Sequence, residues 1–166
     1  MQPSDVNWAK AFAKQSLSDL NVREALVTAR VEKCHRLHYL QMAAEKVCKA
    51  FLSTSKGQGQ VGRTHSVVER NLPILARQFY AVINSNNDMA RWELSEVRKL
   101  AREIELLAPA IRDGGSREDN TEYPWLDSGG AIRIPCEHTF PGLCDNSRTI
   151  VRLIRLMRTA AESYLR

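Results

Sequence analysis

The chain predicts an all-α fold, a mainly antiparallel up-and-down bundle of about five helices in a single domain spanning 1–166. Apolar residues recur three and four positions apart in five segments, and turn-forming residues separate these segments. The composition agrees, because a hydrophobic fraction of 43% with only 7% aromatic residues suits helix packing better than a β-sandwich. A length of 166 residues is enough for one domain with a sizeable core.

The first helix is predicted over 6–29, with Ser4 or Asp5 as its N-cap. Its weakest part is the stretch 16–21, because the Ser, Asp and Asn residues there favour turns and caps over helix interiors. A break within this stretch would divide the helix into two shorter ones.

The second helix, predicted over 31–53, carries the most distinctive pattern of the chain. At about 100° per residue, one face collects an apolar stripe that comprises Leu37, Leu40, Ala44, Val47, Cys48 and Phe51. A polar ridge borders this stripe and comprises His38, Gln41, Glu45 and Lys49. The ridge is either a solvated edge or part of a functional surface, since packing alone requires only the stripe.

The third helix is predicted to start at Thr64 or Ser66, after a loop rich in Gly and Ser. Pro73 lies inside its apolar pattern, where it removes a backbone donor and is expected to kink or restart the helix. The fourth helix is predicted over 89–108. Its apolar positions recur at intervals of four, three and four, namely Leu100, Ile104, Leu107 and Ile111.

The stretch 112–143 interrupts the helical pattern and is rich in Gly and Pro. A small hairpin is predicted within it, with one strand near Trp125 and the other over 131–135, joined across 128–130. The last helix then follows over 145–165, with Asp145 as its predicted cap. This stretch is therefore an irregular insertion before the last helix rather than a separate domain.

The charge balance permits a polyanionic partner without demanding one, since 24 Lys and Arg against 19 Asp and Glu leave a net charge of +5. The polar N-terminus shows no secretory signal, and no apolar run is long enough to span a bilayer. A cytoplasmic protein without a membrane contact is therefore expected. In that compartment the four cysteines should be reduced thiols.

The second helix and the segment after it resemble the HEPN domain family (higher eukaryotes and prokaryotes nucleotide-binding). The run HYLQMAAEKVCKAFL matches a family helix of the form Q-x-x-x-E-K-x-x-K-A-x-L through Gln41, Glu45, Lys46, Lys49, Ala50 and Leu52. The run THSVVERNLPIL matches the family's entry into the next helix through Thr64, His65, Val67 and the apolar residues from Leu72. The resemblance covers roughly 8–83 and implies the same helical architecture.

The resemblance also implies a function. Family members form homodimers and associate with RNA, with nucleotides or with a nucleotidyltransferase-type partner in toxin–antitoxin or defence systems. Active ribonucleases of the family carry an Arg-x4-6-His motif near the start of a late helix, and their chemistry needs no metal. The last helix of this chain contains no His, so the motif is missing from its expected place. We therefore expect a binding module that needs no cofactor.

Two alternatives remain open. The first is a metal-independent endoribonuclease with a non-standard site, built from Arg30 and His35, which have the motif's spacing, or from His38. Glu45 lies two turns from His38 on the same helix and is the carboxylate that could orient its imidazole. The second alternative is a structural helical scaffold that has no ligand.

The last helix offers a candidate surface for nucleic acid or another anion. One face carries four arginines, namely Arg148, Arg152, Arg155 and Arg158. Guanidinium groups in a row suit contacts with phosphates, although a solvated face is the commoner explanation for such a pattern.

A weaker candidate is a zinc site in the insertion, where Cys136, His138 and Cys144 lie close together in sequence. Asp145 or Glu137 could supply a fourth ligand. The spacing matches no common zinc module and no C-x-x-C pair is present, so we expect no metal at these residues.

Overall fold

The structure is a computed structural model that describes residues 5–56, 67–83, 91–109 and 117–166. The helices in these ranges are α1 (Asp5–Thr28), α2 (Lys33–Lys56), α3 (Val68–Ile83), α4 (Arg91–Leu106) and α5 (Arg148–Ser163). The strands are β1 (Trp125–Leu126) and β2 (Ile132–Arg133), and a 3₁₀ turn follows over Pro135–Glu137. The prediction of an all-α bundle with a small hairpin before the last helix is confirmed.

Helix α2 lies at the centre of the bundle and is buried on almost every side. Its buried apolar residues are Leu37, Leu40, Ala43, Ala44, Val47, Cys48, Ala50 and Leu52. Helix α1 packs along it, and all four other helices contact it. Three side chains of the polar ridge, those of Gln41, Glu45 and Lys49, are therefore buried in the bundle.

Helix α1 is continuous through 16–21, so the expected weak point is not a break. The Ser16 hydroxyl donates to the Ala43 carbonyl of α2 at 2.8 Å, and the Asp19 carboxylate pairs with Lys46 of α2 at 2.5 Å. These side chains therefore satisfy their hydrogen-bonding capacity across the helix pair and do not compete with the backbone of α1.

Helix α3 continues through Pro73, which neither ends nor restarts it. The Asn71 side chain bonds to the Val67 carbonyl at 2.7 Å in the first turn, and Pro73 is buried against the core. Packing of the apolar face outweighs the lost backbone hydrogen bond. The predicted caps Thr64 and Ser66, together with His65 and Ile111, lie outside the described residues.

The predicted hairpin is present, and its antiparallel register places Trp125 opposite Arg133 and Leu126 opposite Ile132. The Asp127 carboxylate closes the turn by accepting from the Gly129 and Ala131 amides at 2.9 Å. These bonds and the neighbouring Arg133 guanidinium lower the pKa of Asp127.

The cap of α5 differs from the prediction. Ser147 is the N-cap, and its hydroxyl accepts from the Ile150 amide at 3.2 Å. Asp145 instead accepts from two arginines of other helices, Arg23 of α1 and Arg36 of α2, each at 2.7 Å. In the part of the chain that the structure describes, no helix is long and apolar enough to cross a membrane.

Candidate nucleic-acid interface

The outer face of α5 carries three of its four predicted arginines close together. At about 100° per residue, Arg148, Arg152 and Arg155 fall within an arc of about 60°, and Arg158 lies about 60° further round. The opposite face is buried and comprises Ile150, Leu153, Leu156, Met157, Ala160 and Ala161. The amphipathic pattern predicted this orientation correctly.

Arg152 and Arg158 are engaged with neighbouring helices. Arg152 pairs with Glu93 of α4 at 2.6 Å, and Glu93 also accepts from Tyr80 of α3, which raises the pKa of that tyrosine. Arg158 pairs with Glu24 of α1 at 2.8 Å. These two arginines join α5 to the helices on its flanks.

Arg148 and Arg155 are exposed, and no ion pair or hydrogen bond of the described residues involves their guanidinium groups. They lie seven residues apart, so two helical turns, or about 10.5 Å of rise, separate them on one side of α5. Val151 lies between them and is 55% exposed. The free part of the arginine row is therefore a pair of cations beside an apolar side chain.

Three of the four residues of the polar ridge of α2 are buried, so they do not form a solvated edge. Gln41, Glu45 and Lys49 are 2%, 7% and 6% exposed, respectively. Gln41 donates to one Glu45 oxygen at 3.1 Å, and Lys49 pairs with the other at 2.7 Å. The ammonium group of Lys49 also lies 6.0 Å from the centre of the Phe12 ring. Gln41, Glu45 and Lys49 thus form a buried polar network along α2.

The three residues proposed for catalysis are not joined to one another. Arg30 lies in the turn between α1 and α2 with a left-handed backbone (φ 56°), and His35 is exposed in the first turn of α2. His38 is half-buried, and its Nδ1 lies 3.5 Å from a Glu122 oxygen. In the described ranges, no hydrogen bond or ion pair connects these three side chains.

The carboxylate next to His38 differs from the expected one. Glu122 of the insertion approaches the imidazole, whereas Glu45 on the same helix is directed toward Lys49. Helical spacing had pointed to Glu45, but His38 and Glu45 face different neighbours. Only the path of the insertion brings Glu122 to α2.

The weak zinc candidates do not form a metal site. Within the described ranges, no three His, Cys, Asp or Glu side chains form a group that could hold a metal ion. His138 instead lies between the rings of Trp125 and Phe140, at centroid distances of 5.2 and 4.7 Å. Its Nε2 lies 2.8 Å from an Asp119 oxygen. Cys136 and Cys144 are exposed free thiols.

Sequence reasoning missed the two carboxylates, Asp119 and Glu122, that contact the histidines of the bundle and the insertion. Both belong to one turn, which Asn120 organises by accepting from the Glu122 and Tyr123 amides at 2.9 and 2.7 Å. An Asn followed by Thr in a turn-forming stretch was the available signal, since Asn side chains often bond to nearby backbone amides.

The buried thiol of Cys48 is not a reactive candidate. Burial raises its pKa strongly, and the carboxylates of Glu105 and Glu45 add to the effect. A thiol that stays protonated is a poor nucleophile. The comparisons with known proteins add no further candidate, since no family model matches the chain and no curated protein or solved structure is significantly similar to it.

Proposed function

We propose that this chain is a non-catalytic, HEPN-like helical module that binds single-stranded RNA through the outer face of α5. The resemblance of α2 and the following segment to that family supports the assignment to nucleic acid or nucleotide chemistry. The same resemblance supports a homodimer and a nucleotidyltransferase-type partner in a toxin–antitoxin or defence context. These last two parts of the proposal rest on the resemblance alone.

The observation that carries the RNA proposal is the pair formed by Arg148 and Arg155. Both guanidinium groups are exposed on one side of a rigid helix and lack a carboxylate partner within the described residues. Guanidinium groups contact phosphate oxygens through two parallel hydrogen bonds, and the net charge of +5 favours the approach of a polyanion. The exposed Val151 between them offers an apolar contact for an unstacked base.

Binding of a fluorescent single-stranded RNA, measured by anisotropy at several salt concentrations, tests the proposal. The double variant Arg148→Glu/Arg155→Glu should bind much more weakly. Because each phosphate contact on a single strand contributes about 0.7 to the slope of log K against log salt, losing two should reduce the slope by about 1.4.

The matched control is Arg70→Glu/Arg77→Glu on α3. These two arginines are also exposed, have the same seven-residue spacing and undergo the same change of charge. This control should weaken binding only through net charge and should leave the salt slope close to that of the parent protein. Equal losses of RNA affinity and of salt slope in the two double variants would show that α5 is not the RNA-binding face.

RNA cleavage without a metal is the second candidate, and one observation favours it. The His38 imidazole lies beside Glu122, an arrangement that can orient a proton-transfer group. Incubation of single-stranded RNA with the protein in EDTA, compared with His38→Ala and His35→Ala, separates cleavage from binding. If the protein cleaves RNA and a His variant does not, the protein is a ribonuclease and not a binding module. If the protein does not bind RNA even at low salt, the alternative of a structural helical scaffold without a ligand is favoured.

A further inference from the structure

Two free cysteines from distant parts of the chain lie where the insertion packs against α2. Cys34 belongs to the first turn of α2 and is buried, with 2% of its surface exposed. Cys136 lies in the middle of the 3₁₀ turn Pro135–Glu137 and is exposed. This turn contacts α2, and its first residue, Pro135, is buried. A buried thiol of the bundle and an exposed thiol of the insertion are thus on neighbouring elements.

The insertion is attached to α2 within a few residues of each cysteine. Lys33, the residue before Cys34, donates to the Thr139 and Phe140 carbonyls at 2.7 and 3.0 Å. Phe140 also belongs to the same buried hydrophobic core as Cys34. The chain that carries Cys136 is therefore fixed against the first turn of α2.

The two thiol groups also affect each other electrostatically. Burial is the main cause of the raised pKa of Cys34, and a negative charge on Cys136 raises it further. The backbone amides of His35 and Cys34 act in the opposite direction, because they stabilise a Cys34 thiolate at the start of the helix. An effect of one thiolate on the pKa of another requires that the two groups lie close together.

We propose that Cys34 and Cys136 form a redox-active dithiol, which a low-molecular-weight disulfide such as oxidised glutathione converts into a disulfide bond between α2 and the insertion. The exposed Cys136 thiolate attacks one sulfur of oxidised glutathione, which forms a mixed disulfide and releases one glutathione. The Cys34 thiolate then attacks the Cys136 Sγ atom and releases the second glutathione. The two protein thiols lose two electrons and two protons, and oxidised glutathione takes them up as two thiols.

Of the two remaining cysteines, Cys144 is the competing partner. Cys48 lies 14 residues after Cys34 on the same helix, which corresponds to about 21 Å of helical rise and is too far for a disulfide bond. The raised pKa of its buried thiol also opposes the reaction. Cys144 is exposed and lies in the insertion, so the experiment has to distinguish a Cys34–Cys136 bond from a Cys136–Cys144 bond.

Incubation of the intact folded protein with oxidised glutathione, followed by mass spectrometry of the whole chain and of its tryptic peptides without reduction, tests the proposal. The protein should lose the mass of two hydrogen atoms, and a peptide pair linked through Cys34 and Cys136 should appear. The matched control Cys144→Ser should form the same bond. Because the bond closes a long loop, oxidation should move the midpoint of urea unfolding of this control to a higher urea concentration.

Two further variants, made in the Cys144→Ser background, separate the two chemical steps. Cys34→Ser removes the second attacking thiol, so one glutathione should stay attached to Cys136 and the mass of the chain should rise rather than fall. Cys136→Ser changes an exposed side chain, which the fold tolerates, and should form no disulfide bond within the chain. Circular dichroism of each variant verifies that the helices are retained.

Three outcomes would overturn the proposal. The first is a Cys136–Cys144 bond as the main product of the parent protein. The second is a mixed disulfide at Cys136 that persists although Cys34 is present, and the third is a Cys34–Cys136 bond that appears only after unfolding in urea. Each would show that the folded chain does not bring the two sulfur atoms within bonding distance.

Discussion

At the scale of single residues, the burial of charged side chains is the least expected property of this chain. Lys49 and Glu45 form an ion pair with side chains only 8% and 9% exposed, and Asp19 pairs with Lys46 nearby. Removing one member of a buried pair costs far more than the pair contributes, because the remaining charge loses its compensation. The Asp19–Lys46 pair joins α1 to α2, whereas the Glu45–Lys49 pair lies within α2.

The Lys49→Met variant tests this interpretation. We expect it to lower the free energy of unfolding by about 3 kcal/mol, since the Glu45 carboxylate then loses its cation inside the bundle. The double variant Glu45→Gln/Lys49→Met should regain part of that loss. Urea unfolding followed by circular dichroism measures both, and equal stabilities of the single and double variants would contradict a buried ion pair.

Tyr164 provides a prediction on pH. Burial, with the nearby Cys48 as a smaller cause, raises its pKa from 10.0 to about 12. Because the folded state binds this proton more tightly than the unfolded state, the contribution to stability is complete below pH 10 and is lost as the pH rises toward 12. Tyr164→Phe should reduce the fall in stability over this interval, and identical pH profiles for the two proteins would argue against a buried hydroxyl.

At the scale of helices, the start of α5 is held by charges from two other helices. Asp145 lies two residues before the N-cap and accepts from Arg23 of α1 and Arg36 of α2. The side chains of Asp145 and Arg23 are 9% and 6% exposed. This cluster sets the position of α5 and therefore the direction in which its outer arginines point.

The Asp145→Asn variant should lower the free energy of unfolding by about 3 kcal/mol, because it leaves two arginines without their shared carboxylate. Asp127→Asn is the matched control, since Asp127 pairs with a single arginine, Arg133, whose side chain is 57% exposed. The loss of stability there should be much smaller, because a solvent-exposed ion pair contributes little to the free energy of unfolding. Similar decreases in the free energy of unfolding of the two variants would show that burial does not increase the contribution of Asp145 to stability.

At the scale of the whole molecule, the insertion is part of the bundle. The Thr121 amide donates to the Leu107 carbonyl at 3.0 Å, and Arg117 donates to the Glu105 and Ala108 carbonyls at 3.3 Å. At its other end, Lys33 holds the carbonyls of Thr139 and Phe140. The contacts connect the insertion to both α4 and α2.

We therefore expect the insertion and the bundle to unfold together. A Trp8→Phe/Trp92→Phe variant leaves Trp125, which is buried in the insertion, as the only tryptophan. Its fluorescence and the far-ultraviolet circular dichroism of the helices should follow the same urea transition, as in a two-state unfolding. A fluorescence transition at lower urea would show that the insertion opens independently.

The number and order of the helices, the hairpin and the outward face of α5 could all be predicted from the sequence. Such features depend on local periodicity and turn chemistry, which neighbouring residues determine. Only the tertiary structure decided that the ridge of Gln41, Glu45 and Lys49 is buried, because a helix pattern does not say how many sides other helices cover. The same holds for Asp145, whose partners Arg23 and Arg36 are distant in sequence, and for Cys34 and Cys136, which lie on neighbouring elements only because the insertion packs against α2.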